Sequence, residues 1–392
     1  MCPNMNFAIS MVLNRAFDMS RVMETIDKLS AAHPFLNAVP GYEKESNRYF
    51  YDITSGSKVE FIRIPEEVTS VDAPEVMAEL DYLNGYDWDI FHESLLKIAC
   101  AKCGDKTYIL MVTHHLLVDG RGLLGLAGEF ADYYVSDIEP KAVSEKLITS
   151  EDLPGGSKLP FVSRVLIDKV NRAWAKENHI LTYEEYHKFA MDFVQKHKAK
   201  HVVNKLSDDE LNRLVDDCRE NNVTVNDALV AQMMIEEKTH KVIIASDLRK
   251  KLNCYNAGAL GNYSTAFGVT VSRKTSDVIE MAKAVHKEVR KKMNTPSERY
   301  LILLCYANLD HGALDASFMA AKGAFPSEAA GFIGKKFFGF ENAEGYSITN
   351  LGKIENANID TACFVPPFSP AVRKTKGVLT VNGKMIICTS EV

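Results

Sequence analysis

Strand-like runs and runs with the 3.6-residue spacing of amphipathic helices alternate along the whole chain, on both sides of a Pro154-Gly155-Gly156 connection. That alternation restricts the chain to an α/β architecture. With 392 residues the chain is longer than the roughly 250–300 residues over which one core grows, so two lobes are expected. Ser150 to Pro160 reads as the surface connection between them. The expected division is an N-terminal lobe over 1–150, connecting helices over 151–200 and a C-terminal lobe over 201–392, with a mixed sheet and flanking helices in each lobe.

The local reading starts with a strand at Asn6 to Leu13 and a helix carrying Met19, Val22, Met23, Ile26 and Leu29, which stops at His33-Pro34. Strands are expected at Tyr49 to Ile53 and Val59 to Ile64, then a helix-poor stretch, then a hairpin of Ser94–Ala99 and Thr107–Thr113 around Cys103-Gly104-Asp105. Leu123, Leu124, Leu126, Ala127, Phe130 and Tyr134 form the apolar face of a helix after Gly120. Two helices follow the connection, the second opened by the capping box Thr182-Tyr183-Glu184-Glu185. Beyond them come a strand at His201–Lys205, helices at Ser207–Asn221 and Val225–Lys238, a strand at Lys241–Ala245, and one last strand-like run at Gly377–Thr389.

Charge and composition narrow the function. A net charge of -6 and a pI near 6.0 give no general attraction to nucleic acid. No apolar run reaches the roughly 18 residues of a membrane span, and Met1 to Phe17 lacks the zones of a signal peptide, so a cytoplasmic protein is expected. The eight cysteines are expected to be reduced thiols. Cys100 and Cys103 form a Cys-x-x-Cys without a second pair, which fits a hairpin turn better than zinc or redox chemistry. No metal is expected.

The chemistry-bearing run is His114-His115-Leu116-Leu117-Val118-Asp119-Gly120, where an apolar strand ends and a helix begins. A side chain at such an edge faces a cleft while its backbone stays fixed. A histidine titrating near neutrality takes a proton from an alcohol or amine as it attacks a thioester carbonyl. Asp119 either orients the imidazole or turns away and pins the loop through a cation, and Gly120 keeps the turn free of a side chain. Taken alone, these residue types also suit metal ligation or an ordinary polar cluster.

The heptapeptide resembles the HHxxxDG signature of the acyltransferase superfamily that includes chloramphenicol acetyltransferase, condensation domains, alcohol acetyltransferases, plant BAHD enzymes and wax ester synthases. Other segments resemble that superfamily in order along nearly the whole chain. Phe17 to Pro34 is similar to its first helix, Val223 to Leu229 to its Asn-Asp segment, and Ser246-Asp247-Leu248-Arg249 with Gly261-Asn262-Tyr263 to a pair of motifs in the second lobe. Thr349-Asn350-Leu351-Gly352 resembles a Ser-Asn-Leu-Gly strand end. The Asp-Phe-Gly-Trp-Gly motif of the BAHD branch is absent.

The resemblance implies two chloramphenicol-acetyltransferase-like lobes with an active-site tunnel between them. It makes His115 the catalytic base, and His114, Asp119, Gly120 and Arg249 structural residues, with Asp119 and Arg249 as an ion pair. Thr349, Asn350 and Gly352 are implied to lie along the substrate channel. The implied activity moves an acyl group from acyl-coenzyme A, a co-substrate and not a resident cofactor, to a small hydroxyl or amine acceptor. Its alternatives are a stand-alone condensation enzyme using acyl carrier protein thioesters and a catalytically silent binding protein. The lack of a fused carrier domain favours the free acyltransferase. Arg290-Lys291-Lys292 and Lys250-Lys251 are either solvated surface or contacts for donor phosphates, and the aromatic span Phe325 to Phe340 is either a loop over the acyl pocket or core.

Overall fold

The computed structural model describes residues 5–43, 48–85, 88–177, 181–342, 344–368 and 371–392. The strands, in chain order, begin with β1 (Asn6–Leu13), β2 (Val39–Glu43), β3 (Arg48–Asp52), β4 (Glu60–Arg63), β5 (Leu96–Cys103) and β6 (Lys106–His114). They continue with β7 (Lys200–Lys205), β8 (Lys241–Asp247), β9 (Ser264–Thr270), β10 (Gly345–Ile354), β11 (Ile359–Val365), β12 (Val372–Val381) and β13 (Lys384–Glu391). The helices begin with α1 (Met19–Ala32), α2 (Pro74–Gly85), α3 (Gly120–Ser136), α4 (Phe161–Glu177), α5 (Tyr183–Lys196) and α6 (Asp208–Glu220). After these come α7 (Val225–Glu236), α8 (Val278–Asn294), α9 (Pro296–Arg299), α10 (Leu301–Asn308), α11 (His311–Ala321) and α12 (Glu328–Phe332).

The strands form two mixed sheets with helices packed on them, one per lobe, and a small β2–β3 ribbon. The first sheet has the order β11-β1-β6-β5-β4 and the second β7-β13-β12-β10-β8-β9. Strand β11 leaves its sequence neighbours β10 and β12 in the second sheet and pairs antiparallel with β1, Ala8 opposite Val365. The chain therefore crosses between sheets near its C-terminal end. The first core joins Phe7, Ile9 and Met11 of β1 to Val22 and Leu29 of α1 and Phe130 of α3, and it also takes in Leu351, Leu379 and Ile386 from the second sheet. The second core packs Met233 of α7 and Val285 of α8 on Val242 and Phe267. A third joins Trp174 and Tyr186 of α4 and α5 to Met319, Phe325 and Ile333.

Two readings of the sequence change. The stretch expected to be poor in helix contains α2, with Pro74 at its first position and Val76, Leu80 and Leu83 buried one or two turns apart. Glu79 and Asp81 interrupt the apolar positions and obscure that spacing in the sequence. The run Gly377–Thr389 is two strands. Asn382 and Gly383 take φ of 49° and 80°, the left-handed pair that a tight hairpin needs, so β12 and β13 fold back on each other with Val381 opposite Lys384. The aromatic span is helical: α12 runs into a π-helical turn at Ile333–Phe337, with Phe325 and Phe340 buried.

Candidate functional site

Hairpin β5–β6 delivers the His pair. Strand β6 is buried along nearly all its length because both of its neighbours, β1 and β5, carry apolar residues in register with it. It ends at His114, whose backbone N–H donates to Leu95 O at 2.9 Å, and the His115 N–H donates to Met5 O at 3.1 Å. The backbone beneath the two imidazoles is thus fixed on both sides.

The two rings differ. His114 Nδ1 accepts the Leu116 N–H at 3.2 Å, and burial with His115 alongside pushes its pKa down to about 3. It is a neutral acceptor that closes the turn, and it does not line the cavity described below. The His115 ring packs on Phe7, with centroids 5.0 Å apart, and faces that cavity. Burial lowers its pKa, and the Asp119 charge and its own backbone carbonyl only partly oppose this. Asn262 Nδ2 donates to His115 Nδ1 at 3.3 Å. The Asn262 amide is oriented by Ser264, whose N–H and Oγ–H both donate to Asn262 Oδ1, at 3.3 and 2.8 Å. With Nδ1 accepting from the amide, the neutral ring carries its proton on Nε2; Nε2 is free to take a proton only in the other tautomer, with this contact released.

Asp119 turns away from the imidazole. It caps α3 by accepting the Gly122 N–H at 2.8 Å, takes the Tyr263 N–H at 2.8 Å, and receives both guanidinium nitrogens of Arg249 at 2.9 and 3.0 Å. Arg249 also donates to Asp247 Oδ1 at 3.0 Å and lies against the rings of Tyr255 and Tyr263. Burial works against its charge, but the two carboxylates raise its pKa. Asp119 is only 2% exposed, so this pair ties the start of α3 to the end of β8 inside the protein. Gly120 packs closely: a Cβ there would stand 2.8 Å from Leu351 Cδ2 and 3.3 Å from Phe364 Cζ, so those side chains would have to shift to admit it.

The cavity lies where the two sheets meet and has a volume of about 110 Å³. His115, Asp119, Gly120 and Arg121 line it from the first lobe, and Ser246, Arg249, Ser264, Thr349 and Asn350 from the second. The structure therefore brings His115, Asp119, Gly120, Arg249, Thr349 and Asn350 together. Gly352 is set just off the cavity in a left-handed bend of β10 (φ 83°), its N–H donating to Asn350 Oδ1 at 2.8 Å. Two residues given no role by the sequence join the site: Arg121, next in sequence to Gly120, and Asn262. Elsewhere, Lys292 at the end of α8 is paired with Glu298 at 2.6 Å, and Arg290, Lys291, Lys250 and Lys251 are exposed. No helix among the described residues is long and apolar enough to cross a membrane.

No protein-family model matches the chain, and no curated protein is similar to it in sequence. Solved structures are similar to it in fold. The first condensation domain of the CDA synthetase superposes with a TM-score of 0.62 at 9% identity, over 100% of this chain and 86% of that one. The starter condensation domain of rhizomide synthetase, in complex with C8-CoA and Leu-SNAC, gives 0.60 at 11%, over 100% and 84%. The epimerization domain from the third module of tyrocidine synthetase B gives 0.55 at 15%, over 99% and 86%. The two lobes of this chain thus have the fold of condensation domains.

Proposed function

We propose that this protein is an acyltransferase that moves an acyl group from acyl-coenzyme A to a small alcohol or amine, with His115 as general base. The carrying observation is that His115 faces the inter-lobe cavity as a ring whose pKa is lowered by burial, while the carboxylate whose charge acts on it, Asp119, is occupied by Arg249. A neutral imidazole is the form that accepts a proton. In the proposed reaction His115 Nε2 takes the acceptor's O–H or N–H proton as that atom bonds to the thioester carbon. The tetrahedral intermediate then expels the thiolate as the C–S bond breaks, and the imidazolium returns the proton to sulfur. Asp119, Gly120 and Arg249 hold the loop, and Thr349 and Asn350 border the path of the substrates.

The similarity to condensation domains favours a second reading, in which the donor is a thioester on an acyl carrier protein. An epimerization domain shares the same fold, so fold alone does not choose among these chemistries. Thiol release decides: the purified protein is given acyl-CoA of short, medium and long chain, then the same acyl groups on a carrier protein, each with a panel of alcohols and amines. Release from acyl-CoA supports the first reading and release only from the carrier the second. With the active donor, His115→Ala is expected to lose about 100- to 10,000-fold in rate at unchanged melting temperature. Retained turnover in that variant removes His115 from the mechanism, and no release from any donor removes both readings.

A further inference from the structure

The charges around the cavity are unevenly matched. Arg249 is held by Asp119 and Asp247, so those three groups satisfy one another. Arg121, one residue beyond Gly120 and on the same cavity wall as His115, forms no ion pair or hydrogen bond among the described residues. Its side chain reaches across from the first lobe to the second. The Arg121 Nη2 atom stands 3.1 Å from where a Cβ would sit on Gly352, so the left-handed bend at Gly352 and its missing side chain make room for the guanidinium.

We infer that Arg121 binds the carboxylate of the acyl acceptor, making the preferred acceptor an amine or alcohol that carries an acid group, such as an amino or hydroxy acid. This rests on the acyl-transfer reading of the cavity. A guanidinium presents paired N–H donors that match a carboxylate, and this exposed one, without a protein partner in the cavity that also holds the proposed base, is open to an anion entering that cavity. The phosphates of coenzyme A do not fit this position as well. The pantetheine arm separates them from the thioester, whereas Arg121 shares one small cavity with His115.

The test is equilibrium binding of product-like ligands by titration calorimetry: N-acetyl-, N-octanoyl- and N-palmitoylglycine, each against its glycinamide counterpart. The acid is expected to bind about 10- to 100-fold more tightly than the amide for at least one chain length. Arg121→Gln is expected to lose that preference, and Arg121→Lys to keep part of it, with all variants melting at the same temperature. Equal affinity for acid and amide, a preference that survives in Arg121→Gln, or no binding of any of the six ligands overturns the inference. A preference without thiol release would leave the anion site standing and reject the acyl-transfer reading. Thiol release without a preference would do the reverse.

Discussion

Two histidines of this protein lie near carboxylates, His33 fully buried and His115 half-buried at the cavity wall, and their pKa values are driven in opposite directions. His33, at the end of α1, is 1% exposed, with Nε2 2.7 Å from Glu129 and Nδ1 3.3 Å from Glu145. Burial alone would push its pKa down, but the two carboxylates overcome that and hold it at about 9. His115 also has a carboxylate nearby, and its pKa is lowered. The difference lies in what else the carboxylate holds. Glu129 and Glu145 both bond the His33 ring, whereas Asp119 already accepts two backbone N–H groups and both ends of Arg249. A buried histidine is charged or neutral according to whether its acid is free to pair with it.

The most severe way to break this contrast is to remove Arg249. Arg249→Ala strands the Asp119 carboxylate and is expected to cost about 3–5 kcal/mol of stability, read as the shift of a urea-unfolding midpoint. In the molecules that remain folded, His115 should titrate upward, toward the behaviour of His33. Asp119→Ala should destabilise by a comparable amount, since it strands the cation and uncaps α3. The double variant should lose less than the sum of the two. Additive losses, or an Asp119→Ala protein that unfolds with the parent, would mean that the pair does not hold the loop.

A milder effect tests the other histidine. The folded pKa of His33 is raised to about 9, above its ordinary 6.5. Its stabilising contribution is therefore fully present below about pH 6.5 and is lost as pH rises to about 9. Because Glu129 and Glu145 are partly exposed, at 27% and 14%, the expected loss is about 1–3 kcal/mol. Urea midpoints at pH 6 and pH 9 should show this fall in the parent. The fall should be absent in the Glu129→Gln/Glu145→Gln double variant, and a pH-independent parent would reject a charged His33.

The smallest effect is expected at Asn262. Its amide donates to His115 Nδ1 and so favours the neutral ring over the cation, in the tautomer with the proton on Nε2. Asn262→Ala should move the acid limb of the pH–rate profile for thiol release upward and change the rate by only about 2- to 10-fold. An unshifted limb would show that this contact does not set the titration of His115.

The sequence conveyed local pattern well and distant pairing poorly. The continuous apolar runs of β1 and β6, the helical spacing in α1 and the apolar face of α3 are legible, because burial on both faces keeps a strand apolar throughout and burial on one face imposes a period on a helix. The Asn382-Gly383 hairpin has a turn signal in its sequence, but the apolar runs on either side of it are so close together that they resemble one strand. The seat of β11 beside β1 had no local signal, since its partner lies at the other end of the chain. The site divides in the same way. His114, His115, Asp119 and Gly120 stand together in the sequence, at a strand end that points to a cleft. Arg249, 130 residues from Asp119, was connected to it only through resemblance. Arg121 gains its place from a left-handed bend in a strand far along the chain, which no spacing near residue 121 foretells.

The most direct test of the account is an NMR titration of the protein with isotope-labelled histidine, with His33 and His115 assigned by single substitutions. The account predicts that the His115 ring titrates below 6.5 and stays neutral at physiological pH, while His33 titrates near 9. A His115 ring that is protonated at neutral pH would contradict it, because Asp119 would then be serving the imidazole instead of Arg249, and the proposed base would already hold its proton.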